Sequence, residues 1–253
     1  MRVKDKVALV TGAGSGLGEA ISKRLAQEGA TVVVADINES SAQRVAEEMG
    51  GSAIAVQQDV TDELRWQGLV AEIVDRFGQL DILVNNAGIA LVGTVEDTTL
   101  EDWQLTHRVN LDAVFVGTRE AIKVMKKRSG SIINISSIEG IIGEQKVAAY
   151  NASKGGVRIF TKSAALHCCA EGYSIRVNSV HPGFIDTNMV SGAVDTMSEA
   201  DGEAFTSRIV GNIPMGHMGE PLDIANGVLF LASEESKYMT GSEMIIDGGY
   251  IAR

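Results

Sequence analysis

Tyr150 and Lys154 stand four residues apart in the stretch AYNASKGGVRIF (149–160). If this stretch is helical, four residues are about one turn, and the phenol and ammonium share a face. A free phenol has a pKa of roughly 10 and is a poor base at neutral pH; a nearby cation stabilises the phenolate and brings its proton into play. Such a phenol can protonate a ketone oxygen or take the proton of an alcohol. A second donor on the same oxygen would help, and NISSIEG (134–140) supplies Ser136 and Ser137. Alternate residues of a strand face opposite ways, so one serine points at the site and the other away.

These side chains need elements to hold them. Short apolar runs recur at VALV (7–10), TVVVA (31–35), AIAV (53–56), LDILV (80–84), SIINIS (131–136), IRVNSV (175–180) and EMIID (243–247). Continuous apolar strands of this kind are buried on both faces, as in a parallel sheet covered by helices. Between the runs, helical patterns are expected at about 17–28, 39–49, 62–77, 100–127, 150–171 and 221–233. The alternation predicts one α/β domain over 1–253, a doubly wound Rossmann fold with a seven-stranded parallel sheet. The stretch of about 186–215 combines glycines, acids and methionines with weak periodicity, and is expected to form a substrate lid.

The first run leads into TGAGSGLG (11–18). Glycines there let a pyrophosphate approach the N-terminus of the next helix, where free N–H groups favour an anion. Counting from Gly12, the usual G-x-G-x-x-G spacing fails at Leu17; the match is to T-G-x-x-x-G-x-G. Asp36 ends the second run, where a carboxylate can accept from both adenosine ribose hydroxyls and repel a 2′-phosphate; it can equally cap the following helix. Nothing basic stands at 37–41, and position 15 is Ser, so NAD is the expected cofactor and not NADP. Asp59 and Val60 follow the third run, placed for the adenine, and NNAG (85–88) follows the fourth.

Composition narrows the partners. The chain has 253 residues, 45% hydrophobic and 22% charged, with a net charge of -11. That charge argues against nucleic acid or an anionic membrane and leaves small neutral ligands. No apolar run reaches about 18 residues, and the start reads directly into a strand, so a cytoplasmic protein is expected. Cys168 and Cys169 are adjacent and read as reduced thiols. The four histidines show no ligand spacing, so no metal site is expected.

Taken in order, TGAGSGLG, Asp36, Asp59, NNAG, VNL with Asn110, INISS, Tyr-x-x-x-Lys and HPGFIDT resemble the short-chain dehydrogenase/reductase family over essentially the whole chain. The resemblance implies Tyr150 as general acid/base and Ser137, thirteen residues before it, as the serine that polarises the carbonyl. It implies Lys154 as the residue that lowers the tyrosine pKa and holds the nicotinamide ribose, and Asn110 as the member that bends a helix and holds a water in a proton relay. It places the cofactor against Gly12, Ser15, Gly16, Leu17, Gly18, Asp36, Ile37, Asp59, Val60, Asn86, Ala87, Gly88, Tyr150, Lys154, Pro182, Gly183, Ile185 and Thr187. His181 precedes the last group and is assigned no chemistry.

The blocks SSIEG, PMGHMGEP and LASEESKYMTGSEMIIDGGY narrow the likeness to secondary alcohol dehydrogenases that reduce aryl and alkyl ketones, and to bacterial 3β/17β-hydroxysteroid and cyclic-alcohol dehydrogenases. The ketone reductases with these blocks use NADP, and Asp36 departs from them. Oxidation of a secondary alcohol with NAD is therefore the expected direction. A hydroxysteroid dehydrogenase, an oxoacyl-carrier-protein reductase and a non-catalytic nucleotide-binding protein are the alternatives. The substrate is expected to meet Ser137, Ile138, Glu139, Gln145, Tyr150, Met189, Val190 and Phe205, with Ile89 and Val92 as further candidates. The resemblance also suggests a homotetramer built on the helices at about 100–127 and 150–171.

Overall fold

In the computed structural model, which describes residues 1–187 and 199–252, seven strands form one parallel sheet in the order β3-β2-β1-β4-β5-β6-β7. They are β1 (Val7–Thr11), β2 (Thr31–Asp36), β3 (Ala53–Gln57), β4 (Ile82–Asn85), β5 (Ser129–Ile135), β6 (Ser174–Pro182) and β7 (Glu243–Ile246). Successive side chains of a strand alternate between two apolar layers. Ala8, Val10, Val32, Val34, Ile133 and Ile135 join one, and Val7, Leu9, Val33, Leu83 and Ile132 join the other. Burial on both sides explains why the runs are continuously apolar.

The first layer is covered by α1 (Gly16–Gln27), α2 (Glu39–Glu48) and a late helix, Pro221–Ala232. The second is covered by α3 (Glu63–Phe77), α5 (Ala113–Met125) and α6 (Ala148–Ala170), with Trp66, Leu69, Met125 and Cys168 packed inward. Local chemistry sets several starts. Asn38, Asp62 and Thr99 cap α2, α3 and α4 (Leu100–His107) by accepting from Ser41 N, Arg65 N and Asp102 N.

Two expectations change. The helix expected over 100–127 is divided by a π turn at Arg108–Asp112, because Asn110 turns inward to bond outside its own helix. The stretch at 186–215 contains a helix, α7 (Glu199–Asn212), which weak periodicity concealed; Pro221–Ala232 is accordingly α8. No helix among the described residues is long and apolar enough to cross a membrane.

The strand order reverses between β1 and β4, since the chain moves outward through β2 and β3 and then returns to the other side of β1. A crevice opens at such a switch point, outside the carboxyl ends of the strands. The glycine loop after β1 and the NNAG segment after β4 both lie there.

Candidate active site

A cavity of about 510 Å³ runs along these strand ends. Its walls include every residue expected to contact the cofactor except Gly18, together with Ser137, Ile138, Glu139, Ile89 and Val92 from the substrate side. Gly18 stands behind the wall. A Cβ there would come 2.1 Å from the Gly12 carbonyl oxygen, so this glycine permits close packing of α1 on the loop. Gly16 is different: its φ is +54°, and a Cβ on it would meet nothing nearer than Thr187 at 3.9 Å. Ser15, the residue before α1, makes no side-chain cap, so the first-turn amides of the helix remain without one.

Asp36 is held by two amides. One oxygen accepts from Gly14 N at 2.9 Å and the other from Asn38 N at 2.9 Å. The cap of α2 is Asn38, so Asp36 is not spent on that task. Sequence reasoning missed Arg44. It reaches back from α2 to donate to the Gly14 carbonyl at 3.0 Å, while Glu19 and Glu48 engage the same guanidinium. Gln58 was also missed; it lines the cavity, and its Oε1 is buried with no partner. Uncapped helix amides, an anchored carboxylate and an orphaned acceptor form a cradle of the chemistry a dinucleotide requires.

At the other end, Ser136 and Ser137 follow β5 and both border the cavity, but their hydroxyls find different partners. Ser136 Oγ donates to the Lys154 carbonyl at 2.9 Å, locking β5 to α6. Ser137 and Tyr150 line the cavity together, near enough for the serine hydroxyl to act on the phenol. Ser137 Oγ accepts from Glu139 N at 3.1 Å, which leaves its own proton for the phenol or for a ligand. Lys154 is 3% exposed, donates to the Ile135 carbonyl at 2.9 Å, and lies 5.5 Å from the centre of the Tyr150 ring.

Burial pushes the Tyr150 phenol above its ordinary value, the Glu139 charge adds to this, and the nearby Ser137 hydroxyl opposes it. Burial also brings the Lys154 ammonium down to about 8. The sequence led one to expect a tyrosine lowered by Lys154. In the structure that cation lies over the ring and is bound to a carbonyl, and desolvation dominates the phenol.

Asn110 is fully buried behind the cavity. It accepts from Ile89 N at 2.9 Å and donates to Ile89 O at 2.8 Å and to Ser153 Oγ at 3.1 Å. Its side chain thus clamps the segment after β4 against α6. Gln145 is exposed and is not part of the wall; its neighbours Glu144 and Lys146 are, because the loop turns the alternate residues inward. Burial and the nearby Glu144 raise the Glu139 carboxyl to about 7. Glu144 faces Arg208 of α7 at 3.9 Å, a link between the two sides of the mouth. Met189, Val190 and the side chain of Phe205 lie outside the described residues.

Fold and site together define a doubly wound dinucleotide-binding protein with a tyrosine–lysine–serine group at the end of its crevice. A family profile described as Enoyl-(Acyl carrier protein) reductase matches residues 12–251. The chain is 46% identical to an NADP-dependent (R)-specific alcohol dehydrogenase of Lentilactobacillus kefiri, over 100% of this chain and 99% of that protein. It is 42% identical to a cyclopentanol dehydrogenase of Comamonas testosteroni, over 99% of both chains. It is also 42% identical to a 3-alpha-(or 20-beta)-hydroxysteroid dehydrogenase of Mycobacterium tuberculosis, over 99% of this chain and 91% of that protein. The chain belongs to the short-chain dehydrogenase/reductase family.

Proposed function

We propose that this chain interconverts a secondary alcohol and a ketone with NAD, in the cytoplasm, and that oxidation is its working direction. The observation that carries this reading is that Tyr150, Ser137 and Lys154, the last 5.5 Å from the centre of the tyrosine ring, line one cavity with the glycine loop and Asp36. Alcohol dehydrogenase relatives aligned over the full chain support it.

Gly12 to Leu17 and the first turn of α1 would hold the pyrophosphate, Asp36 the adenosine ribose, and Asp59 with Val60 the adenine. Pro182, Gly183, Ile185 and Thr187 would hold the nicotinamide end. When bound, the cofactor supplies a hydride acceptor for the alcohol or, in reverse, a hydride donor for the ketone. Ser137 donates its proton to the substrate oxygen and orients it. Tyr150 Oη takes the hydroxyl proton as the alcohol is oxidised while its own proton passes to the neutral Lys154 amine, and both transfers reverse on reduction. Lys154, close to half-protonated near pH 8, passes that charge on toward solvent. Asn110 holds the Ile89 segment and α6 in place with both amide protons and one lone pair of Oδ1, and would also hold the water of a proton relay.

NAD is favoured over the NADP of the Lentilactobacillus relative because the Asp36 carboxylate would face a 2′-phosphate, and Arg44 is neutralised by Glu19 and Glu48. Residues 186–215 act as the lid, and Ile138, Glu139, Met189, Val190 and Phe205 meet the substrate. Initial oxidation rates on 1-phenylethanol enantiomers, cyclohexanol, cyclopentanol, 2-octanol and hydroxysteroids, each with NAD and NADP, test this. High efficiency with NAD on one class supports the reading; turnover only with NADP, or none on any alcohol, overturns it.

A further inference from the structure

The paired backbones of β5 and β6 end at Ile135↔Val180, and the last ladder bond beyond that pair runs from Ser136 N to Val180 O at 2.8 Å. Ser137 therefore leaves the sheet just where its hydroxyl must be aimed. A side chain takes over at this point: His181 Nδ1 lies 3.0 Å from the Ser137 carbonyl oxygen, and its Nε2 lies 2.8 Å from Ser179 Oγ. A carbonyl only accepts, so Nδ1 carries a proton. In the neutral ring Nε2 is then the acceptor and Ser179 donates to it at 2.8 Å in preference to its other acceptor, the Ser242 carbonyl at 3.4 Å. Burial holds the imidazole below its ordinary value, and the ring is completely shielded from solvent.

We propose that His181 is a positioning residue for Ser137: Ser179 selects its Nδ1–H tautomer, and that N–H extends the β5–β6 pairing by one side-chain bond onto the serine that orients the substrate oxygen. The same residue leads directly into Pro182 and Gly183, so one rigid unit sets both the serine and the wall at the nicotinamide end. Small displacements of a group that aligns reacting atoms cost large factors in rate. This inference rests on the reading of Ser137 as the orienting hydroxyl.

Three replacements separate the two ends of the ring. His181→Asn keeps an amide N–H at the Nδ1 position, His181→Gln places its amide where Nε2 stood, and His181→Leu removes both. With the best alcohol of the panel and NAD, His181→Leu and His181→Gln are expected to lose about tenfold or more in kcat with little change in KM for NAD, and His181→Asn to recover most of that loss. ¹⁵N NMR of the wild-type chain between pH 6 and 9 should report the Nδ1–H tautomer for this ring. The proposal is overturned if His181→Gln keeps kcat within twofold, if His181→Asn falls as far as His181→Leu, or if the ring is in the Nε2–H form. Should the Gln variant fail to fold, Ser179→Ala decides: a several-fold fall in kcat is expected, and an unchanged kcat sinks the proposal. Ser137→Ala is the control. If it retains turnover, the role of Ser137 itself is wrong; if it loses turnover while the His181 variants do not, only the His181 link fails.

Discussion

Burial acts on Tyr150 and Lys154 in opposite directions, raising the phenol and lowering the ammonium to about 8. Near neutrality the phenol keeps its proton and the ammonium most of its own, and the Lys154 proton is the one released as pH rises past about 8. Oxidation needs the site to accept a proton, so its kcat/KM should climb between pH 6 and 9 while that for ketone reduction declines; parallel profiles would contradict the proton-transfer role. Tyr150→Phe removes the proton donor and little volume. Turnover should drop by about 10² to 10⁴ while NADH binding, followed by fluorescence, changes only a few-fold. Glu139 titrates in the opposite sense to an ordinary paired acid. Its folded value of about 7 exceeds the unfolded value of 4.5, so its contribution to stability is complete below 4.5 and is lost as pH rises through 7. Glu139→Gln cannot ionise. Its Tm relative to wild type should therefore improve between pH 5 and pH 8, and an offset that does not change with pH would argue that the carboxyl is not raised.

Elements place these groups by packing as much as by hydrogen bonding. α1 can sit on the glycine loop only because residue 18 has no side chain, the Gly12 carbonyl occupying that space. Gly18→Ala forces the helix or the loop to move, at a cost of about 1–3 kcal/mol. A lower Tm and weaker NADH binding are expected together; an unchanged affinity would show that the loop does not form the cradle. The π turn at Arg108–Asp112 has the complementary logic. An inserted residue breaks the helix register so that Asn110 can reach Ile89 and Ser153; the apolar pattern reads as one long helix, and the bend at Asn110 was implied by the family resemblance alone. α7 was hidden for another reason: its apolar positions lack a clean period, and its described link to the site, Arg208 to Glu144, is a contact between distant parts of the chain.

At the scale of the whole molecule, α4, α5 and α6 leave large apolar side chains in solvent, among them Leu100 at 70% exposed, Ile159 at 61% and Leu166 at 70%. Faces of this kind call for a partner, and the expected one is further copies of the chain. Light scattering should give about four times 26.8 kDa, whereas a monomer would rule out the tetramer. The sheet itself was legible in the sequence, because strands buried on both faces must be apolar throughout and seven such runs stand in order. So were the glycine loop, Asp36 at the end of β2 and the Tyr150–Lys154 spacing, which are local to one turn or one strand; the choice of Ser137 over Ser136 came from the family resemblance. What only the tertiary structure decided are matters of distance between separate segments: Arg44 folding back onto Gly14, Glu144 and Lys146 facing inward in place of Gln145, and His181 reaching Ser137. The direction in which burial moves Tyr150 belongs with them. Local spacing fixes which groups share a face; desolvation and contacts across the crevice are set by everything packed around them, and no stretch of sequence carries that alone.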